Sequence, residues 1–183
     1  MPKIYLGVVA SDYVRSRTVN TLISIMKNFP TIVDSTIKQG CLVHINREEV
    51  VKDAMKAGIY THVFFVDSDM CFSAQVLQRL LDDDKDIVGA NYNHRRLPLT
   101  PLTKNPTGTM DLFKTDLIGT GCMLIKTSVF PKLKRPWFFL GEQNETSPGM
   151  GEDAYFCKKA IENGIDVWCD PSVEVGHEGS YVY

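Results

Sequence analysis

The chain has 183 residues, 44% of them hydrophobic and 23% charged, with a formal net charge of −2. That length suits one domain, and a domain of this size buries roughly 70% of its unfolded surface, so no disulfide staple is required. A charge so near neutral argues against a nucleic-acid binder, which would carry a basic face and a high pI.

No run approaches the roughly 18 consecutive apolar residues of a membrane span. Met1-Pro2-Lys3 leads into only a short apolar run, so no secretory leader is visible. The five cysteines, Cys41, Cys71, Cys122, Cys157 and Cys169, are odd in number and contain no C-x-x-C pair. Each lies in or beside an apolar stretch. They read as free thiols acting as small hydrophobes, which predicts a reducing, cytoplasmic setting.

In chain order, Ile4 to Val9 reads as a buried strand ending at Ser11-Asp12. Val19, Leu22, Ile23 and Met26 recur at i, i+3, i+4 and i+7, predicting an amphipathic helix that Pro30 ends. Cys41 to Ile45 reads as a short strand. Val50, Val51, Ala54 and Met55 then form one face of a helix closed by Gly58. Val63-Phe64-Phe65-Val66 is the continuous apolar run expected of a strand covered on both faces, and it ends abruptly in Asp67-Ser68-Asp69.

A helix capped by Ser73 carries Val76, Leu77, Leu80 and Leu81 inward. Ile87 to Ala90 is the next strand. Asn91 to Asp116, rich in proline and threonine, predicts a long loop, and such loops in compact domains are often functional. Leu117 to Ile125 is apolar around Gly119 and Gly121. An irregular stretch from Pro136 to Gly151 precedes a helix carrying Phe156, Cys157, Ala160 and Ile161. Val167-Trp168-Cys169 is a late strand, and Val173 to His177 the closing segment. This alternation predicts a single-domain α/β sandwich, a mostly parallel sheet flanked by helices. Ligands in such sheets bind beyond the carboxyl ends of the strands.

Asp67 and Asp69, two carboxylates leaving an apolar strand at i and i+2, meet the needs of a hard divalent cation. Mg²⁺ or Mn²⁺ is held by one or two carboxylates together with substrate phosphate oxygens. A solvated turn is the plainer alternative. Gly151-Glu152-Asp153 opens the last long helix, where acids favour the macrodipole by about 0.3–1 kcal/mol. A carboxylate there is equally suited to act as a general base. His177 is either a structural imidazole or the completion of a metal site begun by the two aspartates.

Taken in this order, the elements resemble the GT-A superfamily of glycosyltransferases in compact form, over nearly the whole chain. The most specific part is His62 to Met70 together with Gly151-Glu152-Asp153 and the later His177. The resemblance implies one Rossmann-type catalytic domain over residues 1–183. Its nucleotide-sugar part is about 1–90, and its acceptor and metal-completing part about 91–183. It implies Mn²⁺ or Mg²⁺ bridging the donor diphosphate, with Asp69 as direct ligand, Asp67 on the ribose or a metal-bound water, and His177 in the metal shell.

Asp153 is then the base of an inverting transfer, with a retaining mechanism the alternative should Asp153 face solvent. Helix geometry turns Glu152 roughly 100° away from Asp153, where it is placed to bind the acceptor. Ala10, Ser11 and Asp12 take the nucleotide base position, with Asp34 a further candidate contact. Arg47, Ser68 and Gly121 lie near the donor. Beside the resemblance, Arg95 and Arg96 read most simply as part of an exposed Asn-His-Arg-Arg turn, the alternative being that one of them stabilises the leaving group. The implied substrates are a nucleoside-diphosphate sugar, UDP-sugar favoured, and a hydroxyl-bearing glycan acceptor. Two other readings compete. A nucleotidyltransferase on a related fold would want glycine and lysine in the loop Ala10-Ser11-Asp12-Tyr13, which has neither. A non-catalytic nucleotide- or carbohydrate-binding module would not need Asp153.

Overall fold

A computed structural model of the protein describes residues 1–30, 33–95, 97–141 and 149–179. The N-terminal half alternates β1 (Ile4–Ala10), α1 (Ser16–Asn28), β2 (Val33–Gln39), α2 (Val43–Ala57), β3 (His62–Asp67), β4 (Met70–Cys71) and α3 (Gln75–Asp82). There follow β5 (Ile87–Ala90), β6 (Phe113–Lys114), β7 (Cys122–Lys126), a 3₁₀ turn (Thr127–Lys132), α4 (Glu152–Glu162), β8 (Val167–Asp170) and β9 (Gly176–His177).

Successive residues of a strand face opposite sides, so a run that is apolar at every position is buried on both. β3 shows this directly. Val63 and Phe65 enter one core with Val50, Val51 and Ala54 of α2 and Phe156, Cys157 and Ala160 of α4. Phe64 and Val66 enter a second core with Ile25 of α1 and Leu77 and Leu80 of α3. The product is three layers, helices on both faces of a sheet.

Among the described residues the sheet has seven strands in the order β2-β1-β3-β7-β5-β8-β6. β1, β2, β3, β5 and β8 run one way, whereas β7 and β6 run against their neighbours. The expected mostly parallel α/β sandwich is present. β7 is inserted antiparallel between β3 and β5, an arrangement that chain order does not suggest. β4 and β9 form a separate two-stranded pair. No helix among the described residues is long and apolar enough to cross a membrane.

Several local expectations need correction. The second strand is Val33–Gln39, not Cys41 to Ile45, where Cys41 is exposed and α2 starts at Val43. β2 is an edge strand whose residues after Val33 are exposed or half-buried, so it carries no apolar run to find. On α1 the buried residues are Thr18, Thr21 and Ile25, while Val19 and Ile23 are exposed. Ser73 does not cap α3: Ala74 holds the cap position, without a side-chain bond. Of the five thiols, Cys122, Cys157 and Cys169 are buried, Cys71 is half-buried and Cys41 exposed.

Candidate functional site

The strand ends carry the site, as open α/β sheets dispose their ligands. A cleft of about 380 Å³ lies past Ala10 of β1 and Asp67 of β3, and its walls include Ser11, Arg47, Ser68, Asp69, Tyr92, Arg95, Glu152, Asp153 and His177. The acidic turn, the start of α4 and β9 therefore meet in one place.

Backbone and hydroxyl bonds fix the acidic turn from several sides. Asp67 N–H donates to Gly121 O (3.1 Å), and Ser68 N–H to Val9 O (3.2 Å). Ser68 O accepts from Arg15 N–H (2.8 Å) and from the Thr18 hydroxyl (3.1 Å), and Asp69 O accepts from Glu178 N–H (2.8 Å). Just beyond, the Thr21 hydroxyl donates to Phe72 O (3.0 Å). These bonds explain the buried threonines of α1: a hydroxyl out of water needs a partner, and here it finds the turn.

Two charged groups occupy the cleft. In the first, Asp69 Oδ2 accepts from Arg95 Nη1 (2.7 Å), and its Oδ1 lies 3.5 Å from His177 Nε2. Burial opposes ionisation of Asp69, but His177 and Arg95 outweigh it and hold the carboxyl below its usual range. Burial likewise opposes the His177 cation, and Asp69 with the Asn93 carbonyl reverses the sign, raising its pKa.

In the second, Arg47 is only 1% exposed and bonds Asp67 Oδ1 (2.8 Å) and Glu152 Oε1 (3.2 Å), its guanidinium lying over the Phe65 ring. A buried guanidinium is tolerable when carboxylates neutralise it, and these two offset its burial and raise its pKa. Its Nη1 has no hydrogen-bond partner among the described residues. Asp153 differs from Glu152. It accepts from Ala154 N–H (2.7 Å), and no Lys or Arg among the described residues bridges it. Burial, then the Glu152 charge, push its pKa up.

No three His, Cys, Asp or Glu side chains among the described residues are grouped as a complete metal-ligand set. Asp67 Oδ1 is taken up by the Arg47 guanidinium (2.8 Å). The Asp69–His177 pair nevertheless suits a hard cation. His177 Nδ1 is 3.0 Å from Asn93 O, which assigns the proton to Nδ1 and leaves the Nε2 lone pair toward a carboxylate oxygen. Two acceptors facing each other require a proton or a cation between them. Two protein ligands are also what a divalent ion uses when phosphate and water supply the rest.

The remaining candidate residues divide. Ala10 and Ser11 line the cleft, but Asp12 does not; its carbonyl accepts from Gln39 Nε2 (2.9 Å). Asp34 lies at the start of β2, away from the strand ends that form the cleft, and is bonded by the Tyr60 hydroxyl (2.9 Å). Gly121 is buried beneath Tyr92, to whose hydroxyl it donates its N–H (3.1 Å). A Cβ at Gly119 or Gly121 would come within 2.0 or 2.7 Å of that hydroxyl, so both glycines make room for Tyr92. Arg96 lies outside the described residues, as does part of the Pro136 to Gly151 stretch. Sequence reasoning missed Tyr92, whose signal was its position two residues past β5, at the strand ends where ligands bind.

No protein-family model matches the chain, and no curated protein does. Among solved structures, the chain is similar to A197 from STIV, with 20% identity, a TM-score of 0.70, and 97% of this chain and 86% of that one covered. It is also similar to GalNAc-T7 crystallised with UDP, GalNAc and Mn²⁺, at 10% identity and TM-score 0.57, covering 97% of this chain and 44% of that one. S. aureus TarS 1–349 aligns at 15% identity and TM-score 0.58, covering 96% and 60%. The chain thus spans less than two thirds of the GalNAc-T7 and TarS chains. At these identities the likeness shows the fold alone: the mixed α/β sheet flanked by helices is shared with these structures over nearly the whole of this chain.

Proposed function

We propose that the protein is a metal-dependent glycosyltransferase that moves a sugar from a nucleoside-diphosphate sugar to a hydroxyl of a glycan acceptor, with inversion. The observation that carries this reading is the meeting of Asp67, Asp69, Glu152, Asp153 and His177 in one cleft at the strand ends. UDP is the favoured nucleotide, supported by fold neighbours crystallised with UDP or UDP-GlcNAc.

In this reading Asp69 and His177 hold Mn²⁺ or Mg²⁺, which when bound offsets the charge developing on the departing diphosphate. Arg95, at the rim and already bonded to an acidic partner, turns to diphosphate oxygens and adds a charge-assisted bond. Arg47 neutralises Asp67 and Glu152 and keeps both in place beneath the donor. That commitment of Glu152 leaves Asp153 as the carboxylate at the head of α4 able to take the acceptor's hydroxyl proton. Ala10 and Ser11 form the wall for the base.

Thermal shift with Mn²⁺ and a panel of UDP-, GDP- and dTDP-sugars tests the ligand class. At 100 times its dissociation constant, a cognate nucleotide stabilises the fold by about 2.7 kcal/mol. Asp69→Ala is expected to abolish the Mn²⁺-dependent part of that shift while the protein stays folded. A D69A protein whose nucleotide binding kept its full metal dependence would overturn the assignment.

A further inference from the structure

The sheet ends at β2, and among the described residues no strand lies beyond it. Gly40 donates its N–H to Ala10 O (2.9 Å), and β2 runs parallel to β1 with Lys38 beside Val9, Thr36 beside Gly7 and Asp34 beside Tyr5. Along a strand the backbone N–H and C=O groups turn to alternate sides. Gly40, Lys38, Thr36 and Asp34 therefore share the direction toward β1, and Ser35 and Ile37 turn their backbone groups to the open edge.

The two faces of this edge are unlike. On one, Ile37 is 57% exposed and borders a shallow apolar groove with Val19, Leu22, Ile23 and Met26 of α1. On the other, Asp34 and Lys38 stand two residues either side of Thr36, with Lys38 also bridging Asp53 of α2. An open edge flanked by apolar surface is a template for strand pairing unless something covers it.

We infer that β2 pairs antiparallel with β2 of a second copy about a two-fold axis at Thr36, making a homodimer with one continuous sheet. The backbone directions and the charges select the same register. The outward residues must form the hydrogen-bonded pairs, so Ser35 meets Ile37 of the partner subunit and Ile37 meets Ser35 of the partner subunit. That register places Asp34 opposite Lys38 of the partner subunit, twice by symmetry, in non-hydrogen-bonded pairs where Cα atoms are only about 4.5 Å apart. A register centred on Ser35 sets Asp34 opposite Thr36, and one centred on Ile37 sets Lys38 opposite Thr36 and Asp34 opposite Gly40, so neither joins the two charges. The chosen axis also brings the two α1 grooves together over Ile37, giving an isologous interface: apolar on one face of the sheet and self-complementary in charge on the other.

Light scattering behind size exclusion on the full chain is expected to give a concentration-dependent species of twice 20.6 kDa. Ile37→Asp, which puts a charge into the groove, is expected to raise the dimer dissociation constant at least about tenfold. D34K and K38D each place like charges opposite one another and are expected to be monomeric alone. Mixed in equal amounts they form a heterodimer, because both contacts then join opposite charges. General damage to the fold would not be repaired by mixing. A wild-type protein that stays at 20.6 kDa at every concentration overturns the proposal. So do folded D34K and K38D proteins that fail to associate when mixed.

Discussion

Asp153 shows how surroundings separate two adjacent acids at the head of one helix. Glu152 is held by the buried Arg47 (3.2 Å), whereas burial and the Glu152 charge push the Asp153 carboxyl above its ordinary range. A raised carboxyl favours its protonated form, so a base of this kind loses activity as pH falls through the raised value and gains it as pH rises. The acid limb of kcat/KM is therefore expected at higher pH than an ordinary carboxylate would give. Asp153→Asn is expected to remove that limb and cut turnover by at least about 100-fold while donor and metal still bind. Near-normal turnover in D153N would assign the base elsewhere, and lost donor binding would group Asp153 with the donor's ligands. Tyr92 works differently, through shape. Its ring stands edge-on to His177, with centroids 5.5 Å apart, and its hydroxyl fills the space left by two glycines.

Among the elements, α1 and α3 place polar groups where hydrophobic patterning predicts none. Thr18 and Thr21 on α1 are buried because they hold the backbone of Ser68 and Phe72, tying that helix to the acidic turn. At the end of α3, Asp83 and Asp170 of β8 share Arg79, which lies 3.8 Å from the first and 2.9 Å from the second. Burial, then the Asp170 charge, push Asp83 up to about 6. Asp170 is held low despite its burial, because Ser172 and Arg79 bond its charged form. The folded protein thus binds the Asp83 proton more tightly than the unfolded chain does. Its contribution to stability is greatest below the unfolded carboxylate range and is lost as pH rises through about 6. Asp83→Asn keeps the neutral shape at every pH. It is expected to stabilise the fold at about pH 8 by on the order of 1 kcal/mol and to change little near pH 4, as urea unfolding at the two pH values measures. Equal effects at both pH values would remove this account.

At the scale of the whole molecule, the layers depend on how closely a helix can approach the sheet. A Cβ at Gly7 of β1 would meet Val50 Cγ1 of α2 at 2.3 Å, so this glycine sets the distance between the two layers. Gly7→Ala is expected to cost about 1–3 kcal/mol in thermal unfolding, as overpacking does, with Val50→Ala in the same chain restoring part of the loss. A G7A protein of wild-type stability would show that α2 does not press on β1 there. The amino-acid sequence by itself determined the α/β layering, the doubly buried β3 and the acidic turn at its end, because each is written as local periodicity in one short segment. Only the tertiary structure decided that β7 lies between β3 and β5, that β2 is a polar edge strand, and that α1 buries threonines. It alone decided that Arg47 joins Asp67 to Glu152, which lies 105 residues beyond the arginine. Local periodicity reports whether a face is buried and carries no record of which distant segment covers it. A polar group buried to bond a remote backbone or charge has no hydrophobic signature, so its partner exists only once the chain has folded.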